Sequence, residues 1–176
     1  MIKLIATDID GTLVKDGTLI IDPEYMTVIS KLIDKGIIFT VCSGRQFSSE
    51  QKLFAPIKDK LMYITDGGTV VRTPDRILKT YPMSNELWKD MCRMVRDELP
   101  ACDYFAASPD LCYAEDGASP IFHRLRDSYG FEMREIDDLT KLENDDIIKF
   151  TVYHPDSCEE LCSPHFIPAW KDKAHV

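Results

Sequence analysis

Three short apolar runs, Ile2 to Ala6, Ile37 to Cys42 and Leu61 to Thr65, punctuate the first half of the chain without a polar alternation. Runs of this length, bounded by turn residues, predict strands buried on both faces, as in a parallel sheet. Between the first two, Val28, Ile29, Leu32 and Ile33 recur at helical spacing. Asp22 is placed as an N-cap, Pro23 takes the first helical position and Gly36 closes the end. Strand, helix and strand with short joints predict a parallel pair linked by a right-handed crossover. Val14 to Ile20 reads as a small hairpin turning at Asp16-Gly17, and Gln46 to Phe54 as a second helix.

The pattern changes at about Tyr81, where a boundary is expected between residues 1–81 and 82–176. Leu87, Met91, Met94, Val95 and Leu99 make Ser84 to Leu99 an amphipathic helix ended by Pro100. Two strands near 102–107 and 111–115 follow, turning at Ser108-Pro109-Asp110. A helix over 120–129 closed by Gly130 comes next, then strands over 131–136 and 146–154. In the last of these Ile148, Phe150 and Val152 alternate on one side. Pro155 to Cys162 is a short helix, and Ala169 onward starts a last strand.

Composition narrows the class. With 176 residues, 44% hydrophobic and 29% charged, the chain fits a soluble globular protein of one large or two small domains. A net charge of −9 argues against nucleic acid or an anionic membrane as partner. Neither a signal-peptide pattern nor a membrane-length apolar run is visible. Six cysteines without a C-x-x-C pair imply reduced, mostly buried thiols and a cytoplasmic location.

The candidate chemistry lies where the apolar runs stop. The first ends in Asp8-Ile9-Asp10-Gly11-Thr12-Leu13, two carboxylates spaced i, i+2. If the strand ends at Asp8 the backbone turns, and Asp8 and Asp10 converge at the sheet's ligand-binding end. A hard divalent cation such as Mg²⁺ would offset their repulsion. The second run meets Ser43-Gly44-Arg45, where a hydroxyl and a helix N-terminus make an oxyanion site. By itself that tripeptide reads better as an ordinary strand-to-helix turn with Ser43 as N-cap, and Arg45 equally as an exposed arginine at a helix start.

Asp8, Asp10, Gly11, Thr12 and Leu13 match D-x-D-G-T-L in full, and the chain resembles the haloacid dehalogenase (HAD) superfamily. Val41-Cys42-Ser43-Gly44-Arg45 is similar to the second motif of its Cof-type branch. The resemblance implies an α/β fold, a Rossmann-like parallel-sheet core, partial here, with an inserted α/β cap domain over 82–176. It implies a phosphohydrolase acting on a small phosphorylated substrate, a sugar phosphate or similar, with Mg²⁺ as cofactor. In that scheme Asp8 is the nucleophile and Asp10 the general acid and base. Gly11, Thr12, Ser43 and Gly44 bind phosphate, and Arg45 contacts substrate. Asp8 and Asp10 hold the metal, Asp10 through its backbone carbonyl.

The chain departs from the branch in two places. Gly67-Gly68 stands where an Asn-Gly pair is usual, and Asp66 is read mainly as a turn residue. No late acidic motif follows the cap; Glu143-Asn144-Asp145-Asp146 lacks its glycine. Without the later core strand the family places beside the first, Lys3 to Thr7 is expected to be an unpaired edge, open to homo-oligomer formation. Two rivals remain: a catalytically incomplete fragment that binds phosphate or a partner, and a phospho-accepting receiver module. The Gly11-Thr12 continuation and the long second half count against the receiver.

Overall fold

Parallel pairing of the first two apolar runs sets the frame. Strand β1 (Leu4–Thr7) lies beside β2 (Ile38–Cys42) in register Leu4 to Ile38, and β2 lies beside β3 (Met62–Thr65), also parallel. These relations come from a computed structural model, which describes residues 1–15, 18–143 and 146–175. The expected turn at Asp16-Gly17 and the Asn144-Asp145 pair lie outside the described residues. Strands β4 (Val70–Arg72) and β5 (Ile77–Thr80) extend the sheet antiparallel, giving the order β1-β2-β3-β4-β5.

Helix α1 (Pro23–Asp34) forms as its caps dictate. The Asp22 carboxylate accepts from the Glu24 amide at 2.8 Å, and Gly36 takes a φ of 78° beyond the C-terminus. Helix α2 (Phe47–Leu53) follows β2. Ile29 of α1 and Phe47 and Leu53 of α2 pack with Phe39, Val41 and Tyr63 into one apolar cluster. Those sheet residues share a face by register. Leu4 and Ile38, cross-strand partners on the opposite face, stay 54% and 52% exposed. This corrects the expectation of strands buried on both faces: β1 is apolar on both sides but covered on one. Among the described residues it is also an edge of the sheet.

The second half builds a separate four-stranded sheet. Helix α3 (Asn85–Glu98) begins at Ser84, whose hydroxyl accepts from the Leu87 amide. Strands β6 (Asp103–Ala107), β7 (Cys112–Ala114), β8 (Met133–Glu135) and β9 (Lys149–Tyr153) assemble in the order β8-β7-β6-β9. Helix α4 (Pro120–His123) continues as a wider turn over Arg124–Ser128, and Gly130 then adopts a φ of 73°.

Near the C-terminus α5 (Cys158–Leu161) is followed by α6 (Ser163–Trp170), so the strand expected from Ala169 is a helix instead. Phe166 and Trp170, one turn apart, pack on Met91, Val95 and Leu99 of α3 and its end, and this tertiary burial overrides Pro168 inside the helix. The five-stranded sheet with α1 and α2, and the four-stranded sheet with α3 to α6, make an α/β fold with a Rossmann-like core and an added α/β layer.

Candidate active site

Gly11 is the pivot of the loop after β1. At a φ of 74° it lets the chain double back, and the Ile9 carbonyl accepts from the amides of Thr12, Leu13 and Val14 at 3.2, 2.8 and 3.1 Å. The fully buried Ile9 side chain anchors this turn. Asp10 is half-buried, while Asp8, Gly11 and Thr12 are exposed.

Asp10 meets Arg45. The guanidinium donates from Nε to Oδ2 at 2.8 Å and from Nη2 to Oδ1 at 2.6 Å, a two-point ion pair. Nη2 also donates to the Thr18 carbonyl at 2.8 Å, and the group lies over the Tyr129 ring, 5.1 Å from its centroid. Arg45 is 2% exposed, so the reading of an ordinary exposed arginine does not hold. A fully desolvated guanidinium persists because the carboxylate and carbonyl neutralise and bind it.

The segment from Ser43 to Gln46 bends at Gly44 and Arg45 and is not helical, since α2 starts only at Phe47. Ser43 is therefore not the helix N-cap; that position belongs to Gln46. The Ser43 hydroxyl accepts from the Arg45 amide at 3.1 Å, which leaves its own hydrogen to donate. The loop after β3 is stitched alongside, with the Asp66 amide on the Arg45 carbonyl and the Gly67 amide on the Ser43 carbonyl, at 2.9 and 3.0 Å.

Asp66 adopts a φ of 54°, left-handed for a residue with a side chain. Burial pushes its carboxyl up to about 6, against the hydrogen bond from Thr65 and the charge of Lys149. Glu50 is more extreme: it is fully buried, and neither carboxylate oxygen has a hydrogen-bond partner among the described residues. Burial and then the nearby Asp66 raise its pKa well above the usual carboxylate range.

A cavity of about 270 Å³ joins these groups to the second sheet. Asp10, Ser43, Gly44, Arg45 and Asp66 form its floor, and Phe105, Tyr129, Phe131, Lys149 and Thr151 stand among those opposite. Register explains the opposite wall. Phe105 pairs with Thr151 and Ala107 with Lys149, so these side chains share a face of β6 and β9. Lys149 reaches across to donate to the Gly44 carbonyl at 3.2 Å. The loop bearing Tyr129 and Phe131 is tied to the first sheet's side as well. The Glu132 amide donates to Gln46 Oε1 at 2.6 Å, and Lys52 Nζ to the Gly130 carbonyl at 2.7 Å.

The structure thus brings Asp10, Ser43, Gly44 and Arg45 onto one cavity wall and leaves Asp8, Gly11 and Thr12 off it. Sequence reading missed Lys149, Phe105, Tyr129 and Phe131. The alternation of β9 carried the signal for Lys149: with Ile148, Phe150 and Val152 on one side, Lys149 and Thr151 must share the other. The Asp8 carboxylate and the Asp10 carbonyl are hard oxygen donors of the type the expected Mg²⁺ prefers. Among the described residues, however, no three His, Cys, Asp or Glu side chains gather to hold a metal. Such a sparse set suits an ion that keeps most of its waters.

Comparison with known proteins agrees with this architecture. The chain spans about half the length, 52%, of a curated relative, the 5-amino-6-(5-phospho-D-ribitylamino)uracil phosphatase YbjI of Escherichia coli, with 26% identity over 147 residues. A second relative, the phosphatase YwtE of Bacillus subtilis with the same named substrate, is 32% identical over 87 residues, 49% of this chain and 30% of that protein. A crystal structure from Eubacterium rectale is 81% identical with a TM-score of 0.87, covering 99% of this chain and 66% of that one. The fold also matches TM0651 from Thermotoga maritima at a TM-score of 0.75 and 24% identity, covering 98% of this chain and 64% of that one. The family model for haloacid dehalogenase-like hydrolases matches residues 5–174, which takes in the Asp10–Arg45 floor and the sheet that roofs it; the chain belongs to that family.

Proposed function

We propose that the chain carries the phosphate-handling site of a phosphohydrolase acting on a small phosphomonoester. One observation carries the reading: Asp10, Ser43 and Arg45, from two separate motifs, line one cavity under a second sheet. Asp8 attacks phosphorus in line, the bond to the leaving alcohol breaks, and an aspartyl-phosphate forms. Asp10 gives its proton to the leaving oxygen and then takes one from the water that cleaves the acyl phosphate. The Ser43 hydroxyl, the Gly44 backbone and the Arg45 guanidinium hold phosphoryl oxygens, whereas the amides of Gly11 and Thr12 are donated to the Val14 and Ile9 carbonyls of their own loop. The Asp8 carboxylate and Asp10 carbonyl would hold Mg²⁺, which when bound supplies positive charge against the phosphoryl oxygens.

Arg45 has a part in this scheme. Its two-point contact occupies both Asp10 carboxylate oxygens. A phosphate dianion competes for the same guanidinium, so substrate entry frees the Asp10 carboxyl to face the leaving oxygen. We assign residues 1–81 to the core and 82–176 to a cap that excludes water. The free cysteines support a cytoplasmic location. Among the described residues, no helix is long and apolar enough to cross a membrane.

The curated relatives are named as phosphatases of a phosphorylated ribityl compound, which supports a small organic phosphate as substrate. A second reading, a protein that binds phosphate without turning it over, is favoured by the lack of a three-residue metal set among the described residues. Phosphate release from a phosphomonoester panel with Mg²⁺ separates them. Turnover that Asp8→Asn abolishes supports the hydrolase; phosphate binding without turnover supports the second.

A further inference from the structure

The cavity's two walls differ in chemistry. The floor is ionic, whereas the roof is built from Phe105, Ala107, Cys112, Leu125, Tyr129 and Phe131. The roof's polar groups are the Tyr129 hydroxyl and, on β9 at one margin, Thr151 and Lys149, which donates one bond to the Gly44 carbonyl. Tyr129 and Phe131 meet edge to face, ring centroids 6.2 Å apart at 84°. The Arg45 guanidinium already lies over the Tyr129 ring, so a third flat ring entering this corner packs chiefly against Phe131.

A hydroxyl buried without a partner is costly, and a sugar brings several into so few donors and acceptors. A planar apolar group loses nothing there and gains ring contacts. We propose that the cavity selects phosphomonoesters whose alcohol carries a flat aromatic or heteroaromatic ring near the phosphate, in preference to simple sugar phosphates. Phe131 and Tyr129 are the residues that set this preference. The inference rests on the phosphate-handling reading above, because that reading places the phosphate on the Ser43 and Arg45 side.

Phosphonates test it without requiring turnover. Calorimetry with Mg²⁺ present would compare methylphosphonate, 2-phenylethylphosphonate and the phosphonate analogue of glucose 6-phosphate. The aryl compound is expected to bind about tenfold more tightly than the other two, the scale of a good aromatic contact plus its burial. Phe131→Ala and the bulkier Phe131→Leu should both collapse the aryl-to-methyl ratio to within about twofold, with melting curves verifying that each is folded. Equal or tighter binding of the sugar analogue, or an intact ratio in folded Phe131→Leu, overturns the ring preference alone. Failure of methylphosphonate to bind overturns the phosphate reading, and the ring preference with it.

Discussion

Removing either partner of the Asp10–Arg45 pair should destabilise the fold, but unequally. The guanidinium is 2% exposed, while the Asp10 side chain retains 24%. Breaking a buried pair by deleting one partner costs about 3–5 kcal/mol, because the survivor is left charged and desolvated. Arg45→Ala leaves a carboxylate that water can still reach, and it should fall at the low end, about 3 kcal/mol. Asp10→Ala leaves the guanidinium with the Thr18 carbonyl and a long, 3.4 Å contact to Ser49, and should reach about 5 kcal/mol. The double variant Asp10→Ala/Arg45→Met, with no charge left to bury, should lose less than Asp10→Ala alone. Urea unfolding monitored by circular dichroism measures all three. The reasoning fails if Asp10→Ala costs under about 1 kcal/mol, or if Arg45→Ala costs more than Asp10→Ala.

Other consequences can be measured on the same protein. The folded pKa of Asp66, about 6, lies above the ~3.9 of an unfolded aspartate, so the folded state binds the proton more tightly. Its contribution is full below about pH 4 and is lost as pH rises through 6, roughly 3 kcal/mol in all. Asp66→Asn should flatten that part of the stability–pH curve, and an unchanged slope would contradict the assignment. Glu50→Met replaces a buried carboxyl without hydrogen-bond partners among the described residues, and should stabilise by about 1–3 kcal/mol in urea melts. The Leu4 edge should make the chain self-associate at low micromolar concentration by light scattering, and Leu4→Lys should return it toward monomer. A monomeric wild-type chain would contradict that. Cys112 and Cys162, each pushed up to about 12 with burial as the leading cause, should resist alkylation at pH 8 until the protein unfolds.

Local signals made the first half of the fold legible. Asp22, Pro23 and Gly36 mark α1 because capping chemistry acts within a few residues, and the Asp8 to Leu13 motif lies at a strand end for the same reason. What escaped depends on partners distant in sequence. Helix α6 forms because Phe166 and Trp170 reach α3, some 75 residues earlier, which no window around Pro168 could reveal. In the site, the pairing of Arg45 with Asp10 was not legible because the two lie 35 residues apart. The aromatic roof was hidden for the same reason: Phe105, Tyr129 and Phe131 are unremarkable singly and gain meaning from the register of β6 and β9 and the Gln46–Glu132 tie.

If Asp8 accepts the phosphoryl group, the intermediate can be trapped on it. Borohydride added during incubation with a phosphomonoester and Mg²⁺ reduces an aspartyl-phosphate to homoserine, which peptide mass spectrometry locates. Homoserine is expected at position 8 in the wild-type chain and none in Asp8→Asn. Conversion at another carboxylate, or none at all, would rule Asp8 out as the acceptor.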